Sequence, residues 1–195
     1  TVRTFSHTVT SEEASTGTAS ITLPASTVAG NGPYSLTATV TDAAGNTSQA
    51  AAPLAFTLDT AAPGQNANGT PAPVPAPVLT IAEAASGISA AELADGLQAS
   101  VTLPSGSVAG DVLTFTVTGP DGIARTFTHT VTSQEAGSGT VSLTLPNSLL
   151  AQDGAYTIAT TSTDAAGNTS AAGSLSVTLS AAIGIIADYA ATGTV

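Results

Sequence analysis

Apolar side chains recur at every second position in short runs along this chain, and clusters of turn residues break the runs. In VLTIAEA (78–84), LQASVTL (97–103) and VLTFTVT (112–118), aliphatic and aromatic residues alternate with Thr, Ser, Gln and Glu or give way to small Ala. That is the period of a strand with one buried face. The same reading covers ARTFTHTVT (124–132), GTVSLTLP (139–146), AYTIATTST (155–163) and SLSVTLS (174–180). Between them lie LPSGSVAGD, GPDG, SQEAGS, AQDG and DAAGN, all read as turns because Gly, Pro, Asp and Asn favour turn conformations. SAAELAD (89–95) breaks the alternation with good helix formers and is expected to form a short helix in the first inter-strand loop.

Seven short strands at this spacing predict an immunoglobulin-like β-sandwich over 78–181. The pattern also repeats. TFSHTVTSEEASTGTASITLP (4–24) matches TFTHTVTSQEAGSGTVSLTLP (126–146), Tyr34 answers Tyr156, and TDAAGNTS stands at both 41–48 and 163–170. The fold class is therefore all-β, with immunoglobulin-like seven-stranded β-sandwich repeats in tandem. Residues 1–60 hold only the last four strands of a unit. They are expected to expose an apolar face and open edges until strands from elsewhere in the polypeptide or from another chain complete them.

The stretch 61–77 is rich in Pro, Gly and Ala and reads as a linker, flexible at first and then extended as polyproline II. A proline-rich ligand for a recognition module is the lesser reading. The tail 182–195 matches neither repeat; IGIIADY (183–189) reads as the start of a next unit, a donor strand for a neighbour, or a frayed end. The N-terminus TVRTF has no signal-peptide pattern, and the chain reads as cut from something longer.

Composition narrows the function. The 195 residues carry 13 acids against Arg3 and Arg125 and no lysine, for a net charge of -11. The charge argues against nucleic acid and disfavours anionic membrane surfaces, and no apolar run is long enough to insert in a membrane. With no cysteine, disulfides and thiolate metal sites are excluded too. Surplus carboxylate suits a divalent cation or a solvated acidic surface.

TDAAGNTS followed by FTLDTAAP (56–63), together with LTIAEAASGISAAELADGLQASVTLPSGSVAGD (79–111), resembles bacterial Ig-like tandem repeats of giant secreted adhesins. The likeness covers nearly all of 1–180. It implies an extracellular stalk or filament segment at the bacterial cell surface, of the kind exported by type I secretion (the RTX type) and used in adhesion and biofilm. It also implies calcium (Ca2+) at loops near domain junctions, and neighbouring repeats or copies of the same protein as partners. Two departures weaken a transferred junction site: the long linker, and Ser180 where the first copy has Asp59.

Sandwich topology sorts the acids. The loops expected at the chain-entry end carry Asp111, Glu135, and Asp164 with Asn168, all hard oxygen donors of the type calcium takes in numbers of about six to eight. Asp59 would cap this group if the linker folds back. The opposite end receives Asp95, Asp121 and Asp153, and the first copy of the octapeptide carries Asp42 and Asn46. TDAAGNTS is thus read as a turn, as a metal loop or, least of all, as a catalytic loop. It lacks the acids of an EF-hand.

His7 and His129 share one repeat position and are expected to face solvent or a cross-strand neighbour; Arg3 and Arg125 are expected to pair with carboxylates. Asn46, Asn68 and Asn168 begin glycosylation sequons, a weak pattern. Without GxSxG, HExxH or a phosphate loop, enzyme is the poorest reading. The rivals to a stalk are a fibre subunit completed by strand exchange between chains and a ligand-binding module. Scarce aromatics count against a sugar-binding version of the latter.

Overall fold

The computed structural model describes residues 1–181, so IGIIADY lies outside the described residues. The chain divides into two units, Thr1–Ala61 and Ala62 onward.

In the first unit, helix α1 (Ser11–Thr16) precedes two antiparallel strands, β1 (Gly32–Leu36) and β2 (Leu54–Leu58). Tyr34 pairs with Phe56 across them, and the rings stack at 5.5 Å. The alternating stretches 4–10 and 18–24 are not regular strands here. No residue of 1–61 is buried, and Val9, Ile21, Leu36, Val40, Leu54 and Phe56 are exposed. The cause is visible in the second unit, where a strand absent from the first lies between the equivalents of 2–8 and 32–41.

That second unit contains β3 (Val78–Ile81), helix α2 (Ala90–Asp95), β4 (Leu97–Thr102), β5 (Val112–Thr118) and β6 (Ala124–Thr130). Helix α3 (Ser133–Ser138), β7 (Thr140–Leu145), β8 (Gly154–Thr163) and β9 (Gly173–Leu179) complete it. One sheet has the order β3-β4-β7 and the other β6-β5-β8-β9, all antiparallel. This is the all-β, immunoglobulin-like sandwich of seven strands. β5 is the central piece, pairing with β6 on one side and β8 on the other. Leu113, Phe115 and Val117 point inward from it, while Thr114 and Thr116 face out. Phe115 meets Phe127 with centroids 5.9 Å apart. Val101, Val141, Tyr156, Ile158, Val177 and Leu179 close the core from both sheets.

Two segments differ from expectation. SQEAGS, read as a turn, is helix α3, and its equivalent SEEAST is α1. Both start with a capping box, in which the Thr side chain takes the third backbone N–H while the Glu at that position accepts from the cap N–H. The signal was present as T-x-x-E in TSQE and TSEE. The linker 61–77 is the other difference. From Ala62 it packs with the second unit, where Gln65 bridges Pro71 and Gly64 N donates to Ser105 O.

Candidate functional site

The loop that occurs twice is built by its own residues. In the second copy Asp164 Oδ1 accepts from Ala166 N and Asn168 N, both at 2.9 Å, and Oδ2 accepts from Asn168 Nδ2 at 3.0 Å. Asp164 N returns a bond to Asn168 O, and Gly167 takes the positive φ of 91° that lets the chain reverse. Asp42, Ala44 and Asn46 reproduce these distances to within 0.1 Å in the first copy, with Gly45 at φ 90°. One copy sits on a packed core and the other on none, so the loop's shape is local. Asp42 is held below the usual carboxylate range by the Asn46 side chain and then its backbone N–H. At Asp164 partial desolvation works the other way, but Asn168 and the Ala166 N–H outweigh it and the carboxyl again lies low.

Asp111 is different. It closes the loop between β4 and β5, is 1% exposed, and accepts from Val108 N through Oδ2 at 3.0 Å. Its Oδ1 is buried with no hydrogen-bond partner. Burial pushes its pKa up and the Asp164 charge adds to that, against the Val108 N–H bond, which lowers it. The entry end therefore brings Asp111 and Asp164 within electrostatic reach of each other. Glu135, expected beside them, is engaged elsewhere. Its carboxylate takes Thr132 N at 2.8 Å and His129 Nε2 at 3.0 Å. Among the described residues no three His, Asp or Glu side chains gather as a metal cluster.

The remaining candidates are dispersed. Asp59 accepts from Asn31 Nδ2 and Ala61 N within the first unit. Asp95 ends α2. Asp121 holds Arg125 at 2.6 Å and takes Ile123 N, and Asp153 accepts from Ala181 N at 3.0 Å. Arg125 thus has its expected carboxylate, whereas Arg3 donates to the Ser26 carbonyl instead. His7 repeats the histidine contact on Glu13 at 3.0 Å. In donor chemistry Asp111 with Asp164 fits a hard cation, since a buried carboxylate oxygen lacks a partner. The rest of about six to eight oxygens would have to be carbonyls and water.

The His–Glu cap has a pH signature. Desolvation raises Glu135, but the Thr132 backbone bond, His129 and the Thr132 hydroxyl together hold it below the usual range. A depressed carboxyl contributes stability that is present above its unfolded value and lost as pH falls through its folded value. Glu135→Gln is expected to flatten the acid limb of the melting-temperature profile. Thr132→Ala should cost about 1 kcal/mol at neutral pH, read by chemical denaturation.

A family described as a bacterial Ig-like domain matches residues 1–60 and 75–180. No curated protein matches the chain. Several solved structures are similar, three of them as follows. A Ca2+-stabilized adhesin with which an Antarctic bacterium reaches out and binds ice is 26% identical, with TM-score 0.40, over 77% of this chain and 32% of that one. A bacterial ice-binding adhesin of 1.5 MDa, studied for its cell-surface retention, is 28% identical, with TM-score 0.38, over 77% and 42%. A bacterial immunoglobulin-like domain from the M. primoryensis ice-binding adhesin is 30% identical, with TM-score 0.35, over 57% of this chain and 100% of that one. The chain spans less than half the length of the first two.

Proposed function

From the premise that this chain belongs to the bacterial Ig-like domain family, we propose that it is a stalk segment of an extracellular bacterial adhesin, holding other parts of the protein away from the cell surface. The observation that carries this reading is the repetition of one unit down to its loop hydrogen bonds, beside a sandwich whose interior is filled by side chains. Its task is mechanical, and no catalytic residue is assigned. Surface display tests it. An epitope at the far end should stand higher with each added copy of 62–181, and a glycan array should stay blank. Specific glycan binding at micromolar concentration would overturn the reading in favour of a binding module.

Calcium enters at Asp111 and Asp164, where a cation would offset the repulsion between two carboxylates and crosslink their loops. At a hundredfold excess over Kd, calcium should stabilise the full chain by about 2.7 kcal/mol, several degrees in melting temperature. Asp111→Asn should abolish that rise. In EDTA the same variant should melt above the parent at neutral pH. A carboxyl with a raised pKa binds its proton more tightly folded than unfolded, so stability falls as pH climbs from the unfolded to the folded value. The amide removes that loss and can keep an acceptor for Val108 N.

The exposed apolar face of 1–60 favours a second reading, a fibre subunit completed by strand exchange. Size-exclusion chromatography separates the two: a ladder of polymers for the fibre, a monomer for the stalk.

A further inference from the structure

Residues 62–77 have the composition of a spacer and the hydrogen bonding of a clasp. Ala62, Pro63 and Gly64 are buried. The segment doubles back on itself, with Asn66 N on Thr70 O and Ala72 N on Gly64 O, both at 2.8 Å. Its two arms then grip one residue of the β4–β5 loop. Gly64 N donates to Ser105 O at 2.8 Å, Ser105 N donates to Val74 O at 2.9 Å, and Val74 N donates to Ser105 Oγ at 3.1 Å.

The fit depends on two glycines. Gly64 has φ 86°, and a Cβ there would lie 2.2 Å from Pro75 O. At Gly173, on the first residue of β9, a Cβ would lie 1.8 Å from Pro77 O. A spacer of loose prolines would require neither approach. Every contact is made by protein groups and involves no carboxylate.

Tension entering the second unit from its N-terminal side arrives at Ala62, the outer end of this clasp. The Ala62–Gln65 bonds meet the load first, then Gly64–Ser105, which is the first bond from the segment to the sandwich, and the remaining bonds open in turn. The sandwich strands, paired along β5 with β6 and β8, must yield many bonds together. We propose that residues 62–77 are a metal-independent mechanical latch. It holds the segment folded against Ser105 at low load and peels away ahead of the sandwich under pulling, releasing chain with a contour length on the order of 50 Å.

The test is to pull the full chain from its two ends in an optical trap, in EDTA and then in calcium. A reversible lengthening of about that size should precede rupture of the second repeat and be the same in both buffers. Gly64→Val should abolish the early event while rupture of the repeat persists. Amide exchange in EDTA gives a second readout. The Gly64, Ala72 and Ser105 amides should exchange at least tenfold slower than in an unfolded chain, and Gly64→Val should lose that protection. If Gly64→Val does not fold, Ser105→Ala, which removes only the hydroxyl acceptor of Val74 N, should lower the force of the early event. Free-chain exchange of these amides in the parent, an early event that survives Gly64→Val or is unmoved by Ser105→Ala, or one that appears only in calcium would overturn the latch.

Discussion

Ile158→Ala is expected to destabilise the second repeat by about 2–5 kcal/mol, whereas the matching substitution in the first copy, Leu36→Ala, should cost less than about 0.5 kcal/mol. The two positions are equivalent, because Leu36 pairs with Leu54 as Ile158 pairs with Leu175. They differ in what covers them. Ile158 is 1% exposed beneath the facing sheet, and Leu36 is 40% exposed. Truncation in the packed core removes transfer free energy and leaves a cavity, whereas at an open face water already touches the side chain. Against a typical total of about 5–15 kcal/mol, the first loss is large enough to shift the denaturation midpoint plainly. Urea unfolding is the measurement, with Ile158→Ala followed by Tyr156 in the second repeat and Leu36→Ala by Tyr34 in the first unit. Equal losses would mean that the first unit has a core of its own.

Gly173→Ala is expected to lower stability by about 1–3 kcal/mol or more, an unusual result for adding one methyl group. The cause is steric, since Gly173 is absent from the positive-φ glycines. Its added Cβ would meet the Pro77 backbone, which cannot rotate away as a side chain tip could. The first copy supplies the control. Counted back from the Leu54 and Leu175 partners, Ala52 occupies the place of Gly173. Alanine is accommodated there because the Pro77 contact belongs to the second unit. Thermal melting should show Gly173→Ala falling by several degrees and Ala52→Gly moving little. A neutral Gly173→Ala would mean that Pro77 can withdraw at no cost, and the seat of the 62–77 strap would then be loose.

The strands of the second unit were legible because alternation is a short-range property. LQASVTL and VLTFTVT became β4 and β5 with bounds shifted by at most one residue. Helix α2 was legible from the composition of SAAELAD. Helix α3 is hidden because Gly137 and the serines of SQEAGS look like turn chemistry, although the T-x-x-E box of Thr132 and Glu135, directly before Ala136 and Gly137, starts a helical turn. Of the candidate site, the closeness of Asp111 and Asp164 followed from strand order. The diversion of Glu135 into a helix cap did not, because it depended on recognising α3.

Alternation by itself determined which residues form strands and which face each presents, and the octapeptide determined its own turn in both copies. These are set by neighbours within a few residues, and so they hold in both repeats. Tertiary structure decided the rest: that Ile158 is core while Leu36 is surface, that Asp111 is buried with one unpaired oxygen, and that a proline-rich stretch is fastened to Ser105. Each of these depends on what a distant segment places against the residue, and burial, desolvation and steric exclusion exist only once that segment is there.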